Sequence, residues 1–133
     1  MVKISKNRVD METARLEQAM IKRYAETVSA VTSNATTTLD ISNGNVFDVT
    51  HNANITSLVI SNPTASGNST SITIIRTKDN NATSRTIAWP GSFKWASGNA
   101  PSLTQTANAV DIITAFTKDG GTTWYAFFQL NLS

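Results

Sequence analysis

The feature that most constrains this chain is a change of vocabulary near residue 26. Its glutamates, Glu12, Glu17 and Glu26, all lie at or before that point, and threonine, serine and asparagine dominate beyond it. Residues that favour helices thus give way to residues that favour strands and turns. Two regions follow: residues 1–33, read as an amphipathic helix with its linker, and residues 34–133, read as one β domain. A length of 133 residues accommodates one domain with an appendage and is too short for two domains.

From about Ser5 to Val31 there is neither glycine nor proline, and Val9, Leu16, Met20, Tyr24, Val28 and Val31 recur at mostly four- and seven-residue spacing. That spacing predicts one apolar stripe along a helix. Arg8 with Glu12 and Lys22 with Glu26 can pair one turn apart on its wet face. A helix of about 25 residues would reach roughly 38 Å, longer than a small β domain is wide. Val9, Leu16, Met20, Tyr24 and Val28 are therefore candidates for an interface outside the chain's own domain, whose packing against the stripe is the simpler alternative. The stripe does not repeat a clean heptad, so insertion between other subunits explains it as well as self-pairing does.

Beyond Val31 the chain reads as short strands at close spacing: Thr37 to Ser42, Val46 to Thr50, Ile55 to Ser61, Ser71 to Thr77, Thr86 to Trp89, Val110 to Thr117 and Thr123 to Leu130. Asn-Gly, Asn-Pro, Pro-Gly and Asp-Gly-Gly connectors supply the turns. The expected fold is mainly β, an antiparallel β-sandwich of jelly-roll type preceded by one N-terminal α-helix, rather than a parallel sheet.

The last two strands are apolar on both faces. Val110, Ile112, Ile113, Ala115 and Phe116 are followed, across Lys118-Asp119-Gly120-Gly121, by Trp124, Tyr125, Phe127, Phe128 and Leu130. A sheet with one wet face alternates instead. Either this hairpin lies at the centre of the sandwich, or one face fills the core while the other meets a neighbouring subunit. The second reading is preferred in so small a domain, with Ile113, Phe116, Tyr125 and Phe127 as the interface.

Catalytic chemistry is poorly supplied by one histidine, no cysteine and no glutamate in the β region, so no enzyme, cofactor or metal is expected. His51 falls in the polar run Thr50-His51-Asn52-Ala53-Asn54 and reads as a solvated loop residue; with Asp48 it lacks a third metal ligand. A net charge of +2 with interleaved signs argues against nucleic acid as a partner. The absence of a signal-length or bilayer-length apolar run argues for a soluble, unprocessed protein without membrane insertion. Trp89, Trp95 and Trp124 read first as core, but Trp95, with Lys94 and the Ala96-Ser97-Gly98-Asn99 loop beside it, is the candidate for stacking on a sugar ring.

The succession Thr86-Ile-Ala-Trp-Pro-Gly-Ser-Phe-Lys-Trp95, then Ala100-Pro-Ser-Leu-Thr-Gln-Thr-Ala-Asn-Ala-Val-Asp111, then Phe116-Thr-Lys-Asp-Gly-Gly-Thr-Thr-Trp-Tyr125 resembles a β domain of tailed-bacteriophage virion proteins, notably at tail-fibre ends. The similarity is most specific over residues 86–128 and extends more loosely back to Leu39. It implies a non-catalytic homo-oligomer, a trimer by preference, made in the host cytoplasm and displayed on the exterior of the virion. A short tail fibre or tail appendage, held by its N-terminal helix among other virion proteins, is the first expectation. A capsid decoration protein and a fibre tip that binds a host glycan are the alternatives.

Overall fold

The computed structural model of the chain describes residues 17–133, together with the backbone of 3–5 and 8–10. Lys3–Ser5 (β1) and Arg8–Asp10 (β2) form a two-stranded antiparallel ribbon. The helix expected over Ser5 to Val31 is not found in the described part: β2 is extended, residues 17–27 form no helix, and Val28–Thr32 is a strand, β3. Gln18 and Arg23 have positive φ, 54° and 84°, which a helix does not tolerate. Residues 11–16, with Leu16, lie outside the described residues. The four-residue spacing misled because an isolated helix needs a surface to bury its stripe, and Met20 and Tyr24 remain 94% and 76% exposed.

The β region is mixed rather than antiparallel. Thr36–Asp40 (β4), Val46–His51 (β5), Ser57–Ser61 (β6) and Thr70–Lys78 (β7) follow β3, and each strand pairs in parallel with the strand two places on: β3 with β5, β4 with β6, β5 with β7. The chain therefore winds as a flattened coil, alternating between two sheets. Parallel neighbours require a crossover connection, and here the crossover is a strand of the opposite sheet rather than a helix. The Asn43-Gly44 turn that reads as a hairpin signal instead moves the chain between sheets, after a 3-10 turn at Ile41–Asn43 capped by the Asp40 carboxylate on Ser42 N.

The winding then stops. Phe93–Lys94 (β8), Val110–Thr117 (β9) and Trp124–Leu132 (β10) complete a six-stranded sheet in the order β3-β5-β7-β9-β10-β8, with β7, β9 and β10 antiparallel and β8 alongside only Trp124 and Tyr125. Positive φ at Gly120 (69°) and Gly121 (86°) closes the β9–β10 hairpin, as the sequence pattern requires. Strands β4 and β6 form the smaller sheet, extended by an isolated bridge from Ile55 to Ile87.

The core lies between these layers. Phe47, Val49, Ile72, Ile74, Ile113, Ala115, Trp124 and Ala126 face it from the large sheet, and Leu39, Ile55 and Leu58 from the other side. Ile87, Trp89, Trp95 and Leu103 close the flank that the small sheet leaves open.

Candidate functional site

Alternation along each strand decides what the other face of the large sheet carries. Register places Val28, Val46, Thr73, Thr114 and Phe127 in one row across the sheet, and Ala30, Asp48, Ile75, Ile112 and Gln129 in the next. A third row joins Ser71, Phe116 and Tyr125. No described element covers this face. Phe127 is 60% exposed, and the Phe116 and Tyr125 rings pair at 5.4 Å on the surface. Across these three rows Asp48 is the only ionised side chain, with Lys94 at the corner beside Tyr125. Monomers rarely expose a contiguous apolar face of this extent.

Four residues were expected at the hairpin interface, and the structure separates them. Phe116, Tyr125 and Phe127 lie together on the outer face. Ile113 is fully buried in the core and cannot contribute, because it sits at the opposite parity of β9. Beyond Tyr125 the outer edge of β10 has no strand partner among the described residues, so backbone hydrogen-bonding groups are open there as well.

The described N-terminal candidates fall on three separate stretches of the chain. Val9 lies on β2, Met20 and Tyr24 on the irregular segment 17–27, and Val28 at the start of β3. That segment is exposed throughout and carries Met20, Ile21 and Tyr24 to solvent. It is tied down at its end, where Thr27 O stands so close to Gly44 that a Cβ there would lie 2.4 Å from it.

Trp95 is partly buried and packs against the core. Its ring meets Trp89 edge-on at 5.1 Å, Phe93 at 5.6 Å and Phe128 at 6.0 Å, within an aromatic cluster that continues to Trp124. A cleft of about 350 Å³ lies instead beside Trp89, walled by Ile87, Pro101 and Leu103 and rimmed by Arg85, Ser102 and Gln105. Much of the rim is already bonded within the protein: Gln105 Oε1 accepts from Arg85 N at 2.8 Å, and the Arg85 guanidinium holds Asp79 at 2.6 Å.

The polar run around His51 predicts a solvated loop residue, whereas the side chain is fully buried at the end of β5. The signal was its parity: Phe47, Val49 and His51 alternate inward together. Asp48 faces the opposite way, exposed, so the two never form a metal pair. Arg76 and Lys78 continue the inward series of Ile72 and Ile74 on β7, and Asp111 lies across from Arg76 on β9. Arg76 Nη1 donates to Asp111 Oδ2 at 2.8 Å and to Thr104 O at 2.6 Å. The buried Lys78 ammonium is held by the Asp79 carboxylate and by Asn81 O at 2.7 Å. Hydrogen bonds from Arg85 and then Lys78 hold the Asp79 carboxyl down to about 2. Burial is the largest influence on Asp111 and raises it, but hydrogen bonds from Asn131 and Thr104 and the charge of Arg76 bring it below the ordinary range. The cluster closes one end of the core with paired charges.

No protein-family model matches the chain, and no curated protein or solved structure is similar enough to serve as a relative.

Proposed function

We propose that this chain is a non-enzymatic structural protein of a bacteriophage virion, a short tail-fibre or tail-appendage component that works as a homo-oligomer, with three copies preferred. The observation that carries the proposal is the uncovered outer face of the six-stranded sheet, where Phe116, Tyr125 and Phe127 lie exposed and Asp48 is the one charge across the three rows. A solvated sheet face carries alternating polar and charged residues; a threonine, isoleucine and aromatic face is suited to burial against another subunit. The viral assignment itself rests on the resemblance of residues 86–128. Cryo-electron microscopy of the virion encoded with this chain tests it: density projecting from the tail supports a fibre or appendage, density repeated over the capsid lattice identifies a decoration protein, and a virion without the chain overturns both.

One observation favours a second reading, recognition of a host glycan. The cleft beside Trp89 has the size and the mixed apolar and polar lining of a small-ligand site. In this reading Trp89, which lines the cleft and packs edge-on against Trp95, is the ring that would stack on the sugar. Loss of cell-surface glycan binding in Trp89→Ala with the fold retained supports it, and unchanged binding removes it.

A further inference from the structure

We infer that residues 17–27 of one copy cross to a neighbouring copy and lie on the apolar outer face of its six-stranded sheet. The inference rests on the oligomer proposed above and names what covers that face. Two exposed apolar surfaces belong to the same chain and neither is covered by another described residue: the segment bearing Met20, Ile21 and Tyr24, and the sheet face bearing Phe116, Tyr125 and Phe127. Each is costly to leave in water, and burying one against the other removes both from it.

Reach agrees with this placement. Eleven residues span at most roughly 36 Å when drawn out, whereas the five strands from β3 to β10 are only about 19 Å across at about 4.8 Å per step. The segment is therefore long enough to leave its own edge strand and traverse a second sheet. Its exit point is fixed by the close contact of Thr27 O with Gly44, and it leaves from β3, at the sheet edge opposite the aromatic hairpin. The segment is net neutral, Glu17 and Glu26 standing at its ends and Lys22 and Arg23 at its middle between Met20 and Tyr24, so only its central pair would meet the Asp48 carboxylate on the face. Met20 at 94% exposure makes no use of the chain's own sheet, so the neighbouring copy is the occupant that satisfies both surfaces.

The chain has no cysteine, so introduced thiols report unambiguously. Two differently tagged full-length chains, one Met20→Cys and the other Thr114→Cys, are co-expressed, oxidised and run without reductant, with light scattering on the untagged native chain in parallel. The expected result is an oligomer whose two tagged chains are joined by a disulfide, and a Tyr24→Asp chain that associates at least tenfold more weakly with its melting temperature unchanged. An oligomer without the cross-link overturns the inference and leaves the oligomer intact. A third chain carrying both Met20→Cys and Thr114→Cys that closes the disulfide within itself, while the co-expressed pair does not cross-link, also overturns it, since the segment then covers its own sheet. A native chain that is monomeric at micromolar concentration overturns both readings together.

Discussion

Arg76 Nε donates a 2.8 Å hydrogen bond to Nδ1 of His51, and both side chains are fully buried. A guanidinium has no lone pair to accept with and keeps its proton throughout the ordinary pH range, so Nδ1 must be the bare nitrogen of a neutral imidazole protonated at Nε2. Burial first, and the Arg76 charge second, hold the His51 pKa down to about 4 from an ordinary 6.5.

A pH dependence of stability follows from that pair. Between about 6.5 and 4 the unfolded chain binds the His51 proton and the folded chain does not, so stability falls as pH drops through this window, at a limiting slope of about 1.4 kcal/mol per pH unit. The carboxylates act lower down: Asp79, held at about 2 against an ordinary 3.8, contributes stability that is lost only as pH falls below the ordinary value. Because His51 is the single histidine, His51→Gln, which keeps an acceptor for Arg76, is expected to flatten urea midpoints between pH 6.5 and 4.5. A slope unchanged in that variant would assign the titration elsewhere.

Removing the partner of Arg76 is expected to be severe. Asp111 accepts from Arg76 Nη1, from Thr104 N at 2.9 Å and from Asn131 N at 3.0 Å, so Asp111→Ala leaves a buried cation and two backbone donors unpaired. The expected loss is about 3–5 kcal/mol in urea denaturation. The double variant Arg76→Met with Asp111→Leu is expected to recover part of it, because no charge is then stranded.

Much of the fold was legible in the sequence. Val110 to Thr117 matches β9 residue for residue, and β5, β7 and β10 begin and end within two residues of expectation. What could not be read was which strands pair: parallel or antiparallel order is decided by where a connection carries the chain, and Asn43-Gly44 serves a change of sheet as well as a hairpin. β3 was missed because Val28 and Val31 extended a helical spacing begun at Val9. The site was legible in part. Phe116, Tyr125 and Phe127 share the exposed face, whereas Ile113 differs from Phe116 by an odd number of residues and had to point inward. The same parity rule applied to His51, Arg76 and Asp111 would have placed them inside, against the habit of assigning polar residues to the surface.

Gly44 has φ +137°, and a Cβ there would meet Thr27 O at 2.4 Å. Gly44→Ala is expected to destabilise the protein by about 1–3 kcal/mol, through backbone strain and displacement of the segment before β3. Gly91, with no neighbour near its Cβ position, is the control: Gly91→Ala is expected to change stability by no more than about 1 kcal/mol. Thermal unfolding of the two variants side by side checks the contrast.

Trp95 packs against three rings, so Trp95→Ala is expected to cost at least about 2 kcal/mol, full burial of such a ring being worth about 3–5. Denaturant unfolding measures this. A variant as stable as the parent would return Trp95 to consideration as a surface platform for ligands.

The central claim is that the outer face of the six-stranded sheet is a surface between subunits, and multi-angle light scattering of the full chain at micromolar concentration, beside Phe127→Asp, tests it most directly. The account predicts an oligomer for the native chain and a folded monomer for the variant, since one buried carboxylate among Phe116, Tyr125 and their partners would be unpaired. A native chain that runs as a monomer, or a variant that assembles as well as the parent, would contradict it.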